Sequence, residues 1–317
     1  MNIKSILESM IAKGGSDLHL KAGLPPVTRV DGKLIHLDFD RPSPKDMEEV
    51  AEQILTPPQR DRFKNTREVD FAFGVSGLAR FRANFYVQRG SIAMVFRHVP
   101  VEIKSVDELD LPEILKELAT KPRGLMFVTG TVGSGKSTTL AAMVREINEQ
   151  ANKNVITIED PIEFLHQDKK SIINQREIGS DTSSFHEALR HILRQDPDVI
   201  LVGEIRDALT MEIALMAADT GHLVLSTLHT IDATQTINRV ISFFPPHQHQ
   251  EIRYLLSSTL QAVISQRLIP VKEGQGRVPA VEVMVVTSTI REYIIDPEKA
   301  PLIPQAIREG VTAHGMQ

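Results

Sequence analysis

The pattern of apolar and polar positions changes once along the chain, near residue 120. Before that point, short runs with strand character are separated by turns and by one helical stretch at residues 44–54. The strand candidates lie at residues 16–20, 26–30, 69–73, 80–86 and 93–98. This pattern predicts a small α+β domain over residues 1–99.

From residue 121 onward, continuous apolar runs alternate with helical patterns. A strand covered on both faces is apolar throughout, so these runs indicate buried strands of a parallel sheet. The runs lie at residues 125–129, 155–158, 199–202 and 223–228, and the helical patterns at residues 138–150, 184–194 and 210–219. We predict an α/β domain over residues 121–287, a connection at residues 100–120, and a C-terminal helical region at residues 288–317 that we expect to be truncated.

A glycine-rich segment, GTVGSGKS at residues 130–137, lies between the first apolar run and the first helical pattern. This is the P-loop pattern in its usual strand–loop–helix setting, although a glycine-rich turn before an ordinary helix is the alternative. Its glycines let the backbone approach a phosphate at the positive end of the helix, while the lysine reaches phosphate oxygens and the serine hydroxyl binds Mg²⁺. The candidate nucleotide-binding residues here are Gly130, Gly133, Ser134, Gly135, Lys136, Ser137 and Thr138.

Two acidic clusters follow later apolar runs. EDPIE at residues 159–163 and GEIRD at residues 203–207 each leave a predicted buried strand. Ligands of such sheets bind at the carboxyl ends of the strands, where we expect every acidic and histidine candidate to lie. Hydrolysis of a nucleoside triphosphate needs one carboxylate near Mg²⁺ and another that orients water, and Glu163 and Glu204 are the candidates. Capping of the next helix is the competing interpretation for both.

His222 and His229 bracket the apolar run at residues 223–228. Their spacing is poor for a shared metal, so ordinary core or interface histidines and a sensor near the γ-phosphate are the two interpretations. Arg80, Arg82, Arg89 and Arg97 cluster in two adjacent strand candidates, either as a solvated face or as arginine fingers for a γ-phosphate. Arg267 is a separate candidate, placed after a long helical stretch.

Composition narrows the classes of protein that carry such a site. The chain has 317 residues, no cysteine and a formal charge of −5. Disulfides, thiolate zinc sites and cysteine nucleophiles are therefore excluded, and the acidic balance argues against binding to nucleic acid. No stretch is long and apolar enough to insert into a bilayer, so we expect a cytoplasmic protein that reaches a membrane only through partners.

These segments together resemble the secretion and pilus ATPases. The P-loop, IEDPIEF at residues 158–164, GEIRD at residues 203–207 and TLHT at residues 227–230 follow the order of that family's Walker A, Asp, Walker B and His boxes. The segments GSDLHL at residues 15–20 and RFRAN at residues 80–84 are similar to the family's pilus-retraction branch. The resemblance covers nearly the whole chain.

The resemblance implies a PAS-like N-terminal domain followed by a RecA-like P-loop motor domain, assembled as a homohexamer that hydrolyses ATP with Mg²⁺. It implies that Lys136 and Ser137 hold the phosphates and Mg²⁺, and that Glu204 acts in the metal shell. It further implies that Glu163 is the general base, that His222 and His229 are sensors, and that Arg82, Arg97 and Arg267 reach the nucleotide. Gly203 replaces the usual Walker B aspartate, which leaves the division of labour between Glu163 and Glu204 open.

The absence of cysteine also bears on the branch of the family. Extension and type II secretion ATPases usually carry a tetracysteine zinc loop, so this chain resembles the retraction motors that drive twitching motility and act on an inner-membrane platform protein. The branch's Ala-Ile-Arg motif is matched in part by residues 289–291. The alternatives are a pilus-extension or type II secretion ATPase, a nucleotide-dependent switch or scaffold, and a nucleic-acid translocase.

Overall fold

The computed structural model describes residues 1–99, 102–272 and 276–317, and it forms two compact units. Unit 1 is Met1–Val101 and unit 2 is Glu102–Gln317. The first two residues of the predicted connection, 100 and 101, lie outside the described residues. The limits of the functional domains remain a prediction.

Unit 1 is an antiparallel sheet with helices, as the short strand candidates predicted. The sheet order is β3-β2-β1-β6-β5-β4. The elements are α1 (Ile3–Ala12), β1 (Asp17–Lys21), β2 (Val27–Val30), β3 (Lys33–His36), α2 (Pro44–Ile54), α3 (Pro57–Thr66), β4 (Glu68–Val75), β5 (Ala79–Gln88) and β6 (Ser91–Val99). All five predicted strands and the predicted helix are present, whereas α1, β3 and α3 were not predicted.

Alternation along β5 divides the two faces of this sheet. Phe81 and Phe85 are buried against α1 and α2, and Phe85 meets Phe96 edge to face with ring centroids 5.6 Å apart. Because successive strand residues point to opposite faces, Arg80 and Arg82 lie on the other face. Burial of Phe81 and Phe85 therefore leaves Arg80 and Arg82 on the opposite, polar face of the sheet.

Unit 2 is built on a seven-stranded sheet of order β13-β12-β7-β11-β10-β8-β9, in which β13 alone is antiparallel. Its strands are β7 (Gly124–Thr129), β8 (Asn154–Glu159), β9 (Ile172–Glu177), β10 (Val199–Val202), β11 (Leu223–Leu228), β12 (Leu260–Pro270) and β13 (Arg277–Val285). Its α-helices are α4 (Ile114–Ala119), α5 (Lys136–Gln150), α6 (Phe185–Ile192), α7 (Ala208–Asp219), α8 (Ala233–Ser242), α9 (His249–Thr259), α10 (Ser288–Ile295), α11 (Ile303–Glu309) and α12 (Val311–His314). The predicted α/β class is confirmed.

Two apolar clusters cover the two faces of this sheet, which explains why its central strands are continuous apolar runs. One cluster includes Val106, Leu115 and Leu118, so part of the predicted connection packs in unit 2. The other includes Ile290 and Ile303 of the C-terminal helices. Both segments belong to the core of unit 2.

The hairpin of β12 and β13 is the main feature of unit 2 that the apolar pattern did not predict. β12 follows α9 without a break, and it pairs with β7 on one side and with β13 on the other. Arg267 therefore lies within a strand. Parallel pairing of β12, β7, β11, β10 and β8 brings the carboxyl ends of these strands to one edge of the sheet.

Candidate nucleotide-binding site

The P-loop connects β7 to α5 in a conformation that requires glycine. Gly130, Gly133 and Gly135 have φ angles of 145°, 76° and 92°, which are in a region that other L-residues rarely adopt. A side chain at Gly130 would also place its Cβ 2.4 Å from the carbonyl oxygen of Gln266. The loop ends at Lys136, where α5 begins and where the unpaired amides of a first helical turn attract an anion.

Gln266 of β12 holds the loop from the side and was missed by the sequence analysis. Its buried amide donates from Nε2 to the carbonyl oxygen of Ser134 over 2.6 Å and accepts from Thr139 Oγ1 over 2.8 Å. The preceding residue, Ser265, accepts a 2.9 Å hydrogen bond from Thr129 Oγ1 at the end of β7. The loop is therefore tied to β12 at its start and in its middle. The apolar pattern did not predict strand β12, so nothing in the sequence indicated that Gln266 lies beside the P-loop.

Lys136, His229 and Glu204 form a connected polar cluster at the carboxyl ends of β7, β11 and β10. Lys136 Nζ donates to the carbonyl oxygens of Gly130 and Thr131 over 2.9 and 3.0 Å, and it lies 3.5 Å from His229 Nδ1. His229 Nε2 lies 2.9 Å from Glu204 Oε1. Arg206 Nη2 donates to the other oxygen of Glu204 over 2.9 Å. One carboxylate thus connects the histidine to an arginine.

For both Lys136 and Glu204, burial and the neighbouring charges shift the pKa in opposite directions. Burial lowers the pKa of Lys136, and the nearby charge of Glu204 only partly offsets the shift. Burial alone would raise the pKa of Glu204, but its contacts with Arg206 and His229 outweigh burial and lower the pKa. Glu204 is therefore held in its anionic form beside Lys136.

The second acidic cluster lies next to the first. The carboxylate of Glu159 accepts hydrogen bonds from Thr157, Gln175 and the backbone amide of Glu163. Burial raises the pKa of Glu159 despite the contacts with Thr157 and Gln175. The half-buried Glu163 follows on the loop after β8. The two acidic clusters therefore face one cleft.

One cavity of about 300 Å³ brings together six of the predicted residues. Its lining includes Gly133, Lys136, Ser137, Glu163, Glu204 and His229. The helix-capping interpretation fails for Glu204, because Asp207 caps α7 by accepting from the Thr210 amide over 2.8 Å. It also fails for Glu163, since the next element in this fully described stretch is a strand, β9.

Outside residues 130–138, two predicted residues of unit 2, His222 and Arg267, are absent from that cavity's lining. His222 precedes β11, so the expectation that every histidine candidate lies at a carboxyl end is wrong for this residue. Its Nδ1 lies 2.9 Å from the carbonyl oxygen of Ala217. Arg267 is exposed on β12, opposite Ala280 of β13. Neither position brings its side chain to the P-loop cavity of this chain.

Arg82 and Arg97 are direct partners in the antiparallel pairing of β5 and β6 in unit 1. Arg97 Nε donates to Asp17 Oδ1 over 2.7 Å, and the carboxylate of Asp17 is nearly buried while the side chain of Arg97 is 64% exposed. The pairing places the two residues side by side on the polar face of the sheet of unit 1. Their predicted contact with a nucleotide stays a prediction.

The side-chain oxygen atoms of Ser137 and Glu204 suit an Mg²⁺ ion that is also bound by phosphate oxygens. Within the described ranges, no group of three or more His, Cys, Asp or Glu side chains could hold a metal ion. Ser137 and Glu204 line the same cavity, and Mg²⁺ typically takes one or two protein ligands together with phosphate oxygens and water.

In the part of the chain that the structure describes, no helix is long and apolar enough to cross a membrane.

These features define a P-loop ATPase site of the RecA-like type, and the comparisons with known proteins agree. The profile of the family described as "Type II/IV secretion system protein" matches residues 95–313. The type IV pilus retraction ATPase PilT of Pseudomonas aeruginosa is 46% identical over all of this chain and 91% of its own length. A twitching motility protein of Neisseria gonorrhoeae is 44% identical over 92% of this chain and 78% of its own length.

A solved structure supports the same assignment. The crystal structure of the pilus retraction motor PilT with bound ADP superimposes with a TM-score of 0.92 at 46% identity, covering 98% of this chain and 90% of that one. The chain therefore belongs to the type II/IV secretion ATPase family, and the predicted family is confirmed.

We predict that Gln266→Leu weakens nucleotide binding about tenfold, because the buried carbonyl of Ser134 and hydroxyl of Thr139 lose their partner. Titration with a fluorescent ATP analogue measures the dissociation constant. Gln261→Leu is the matched control, because Gln261 lies on the same strand at the end far from the P-loop. Equal affinities of the two variants would contradict the prediction.

We also predict an acid-sensitive contribution from His166, which lines the cavity. Burial lowers the pKa of His166 to about 4, so the ring is neutral in the folded chain. The unfolded chain takes up this proton first, and stability present above pH 6.5 is lost as the pH falls toward 4. Between pH 7.5 and pH 5, this one histidine should account for ~2 kcal/mol of lost unfolding free energy.

Urea unfolding of the wild type and of His166→Gln at both pH values tests this expectation. His166→Gln should reduce the loss, whereas His191→Gln should not, because His191 is two-thirds exposed. The same pH dependence in all three proteins would show that His166 does not contribute.

Proposed function

We propose that the chain is a motor ATPase that drives retraction of the type IV pilus and so supports twitching motility. The observation that carries the proposal is the P-loop cluster, in which Lys136, His229 and Glu204 are connected across three strand ends. The similarity to PilT over the whole chain and the lack of cysteine for a zinc loop support retraction in particular.

The proposed roles follow from position. Lys136 reaches the β- and γ-phosphates of ATP, the amides at the start of α5 bind phosphate oxygens, and Ser137 and Glu204 hold Mg²⁺. When bound, Mg²⁺ neutralises charge that develops on the phosphate oxygens. Glu163 and Glu204 both face the cleft, and one of them orients the attacking water. His229 touches both Lys136 and Glu204, which suits a sensor of the γ-phosphate.

We propose that the working form is a homohexamer at the cytoplasmic side of the inner membrane, where it acts on the pilus platform protein. Arg82, Arg97, Arg267 and His222 are then proposed to contact nucleotide in the assembled ring. The side-by-side placement of Arg82 and Arg97 supports this role, because two planar guanidinium groups can bind one phosphate group.

Replacing the carboxylate next to His229 tests the enzyme assignment. Glu204→Gln should bind ATP within about threefold of the wild type but lose at least about 100-fold in steady-state turnover, because a polar side chain remains while the anion is removed. The exposed Glu212 on α7 provides the control, Glu212→Gln, which should keep full turnover. Full turnover by Glu204→Gln would remove the central assignment.

The proposed role in pilus retraction has to be tested in living cells. A chromosomal Lys136→Ala replacement in the source organism, with protein level checked, should give abundant surface pili and no twitching. Bare cells would instead identify an extension ATPase. Unchanged pili and motility would contradict a motor role in this pilus, and stimulation of hydrolysis by DNA or RNA would favour a translocase.

A further inference from the structure

The loop that carries Glu163 is long and irregular but extensively hydrogen-bonded. Residues 160–171 join β8 to β9 without a helix or strand of their own. Loops of this length are usually held weakly unless side chains satisfy their backbone groups. In this loop, side chains from α5, β8 and β9 do so, which fixes where Glu163 can lie.

Gln175, on the edge strand β9, makes the central contacts. Its Nε2 donates to Glu159 Oε1 over 3.1 Å and to the carbonyl oxygen of Phe164 over 2.8 Å. Its Oε1 accepts from the amide of His166 over 2.9 Å. Both ends of one amide are thus used within three residues of Glu163. Glu159, which Gln175 orients, in turn accepts from the amide of Glu163 itself over 3.3 Å.

Two further side chains hold the remainder of the loop. Glu177, two residues along β9, accepts from the amide of Ile162 over 3.2 Å. Asn148 of α5 donates to the carbonyl oxygen of Gln167 and accepts from the amides of Lys169 and Ser171. The loop is therefore fixed on both sides of Glu163, and α5 is the helix that begins at the P-loop.

We infer that Gln175 is a positioning residue for hydrolysis: it sets the place of Glu163 through Glu159 and through the backbone at residues 164–166. The inference rests on the proposed ATPase function and adds a residue that lies outside the lining of the P-loop cavity. A misplacement of about 1 Å of a group that orients water slows the chemical step while leaving nucleotide binding intact. Gln175 thus affects turnover rather than affinity.

The test is Gln175→Met, which keeps the length of the side chain and removes its hydrogen bonds. The expected result is about a tenfold lower kcat with KM and the dissociation constant for ATP within twofold of the wild type. Asn174→Leu is the matched control, because the neighbouring residue of β9 points to the opposite face and its amide contacts Asn154. An unchanged kcat in Gln175→Met, or an equal loss in Asn174→Leu, would overturn the inference.

Hydrogen exchange gives a readout that does not depend on activity. The amide of His166 should exchange about tenfold faster in Gln175→Met, while the amides of β7 keep their protection. Faster exchange throughout unit 2 would show general destabilisation and would overturn a positioning role. Should Gln175→Met fail to fold, Gln175→Asn takes its place, since it keeps a neutral amide but is one methylene shorter, which draws that amide away from Glu159, Phe164 and His166.

A double-variant cycle separates this inference from the proposed function. If Gln175 acts through Glu163, Gln175→Met added to Glu163→Gln should cause little further loss. Fully additive losses would overturn the inference while leaving the ATPase assignment intact. Absence of steady-state hydrolysis in the wild type would instead reject the proposed function.

Discussion

The close approach of the P-loop backbone to Gln266 is the constraint on which the rest of the site depends. Gly130 and Gly135 both lie against this residue, and a Cβ at either position would clash with it. The amide of Gln266 is satisfied by Ser134 and Thr139, so the loop and the start of α5 are held to the same strand. Phosphate binding by backbone amides requires that these amides be aimed before the ligand arrives. The hairpin of β12 and β13 is therefore part of the nucleotide site, although none of its described charged side chains lines the P-loop cavity of this chain.

A second constraint is electrostatic. Lys136 is partly desolvated, which costs free energy for its charged form, and the nearest anion in the cluster is Glu204. Glu204 also contacts His229 and Arg206, so its charge is shared among three cations or potential cations. Because these interactions are short and partly buried, a change in charge at Lys136 alters the electrostatic potential at His229 and Glu204. This connectivity is consistent with the roles proposed for the cluster, in which Lys136 binds a phosphate and His229 senses it.

The sequence predicted the parts of the site that come from local patterns. Residues 130–137 identify a P-loop because glycine, lysine and serine are needed at fixed spacing, and continuous apolar runs identified the buried strands. It did not predict Gln266 or Gln175, since these act through hydrogen bonds with segments 132 and 11 residues away along the chain, and a glutamine carries no local signal for such a contact. The expectation for His222 was wrong for a different reason. Two histidines that bracket one strand must lie at its opposite ends, and only the carboxyl end meets the P-loop.

The two acids of the cleft are fixed by different means, and this difference bears on their division of labour. Glu204 lies two residues beyond β10, and its carboxylate is held directly by His229 and Arg206. Glu163 lies near the start of a loop whose position depends on hydrogen bonds with Glu159, Gln175, Glu177 and Asn148. A residue that holds Mg²⁺ gains from the rigid position next to Lys136, whereas a residue that orients water can lie on a loop when hydrogen bonds from neighbouring elements fix the loop, as they do here. The supports of the two side chains thus favour Glu204 for the metal shell and Glu163 for the water.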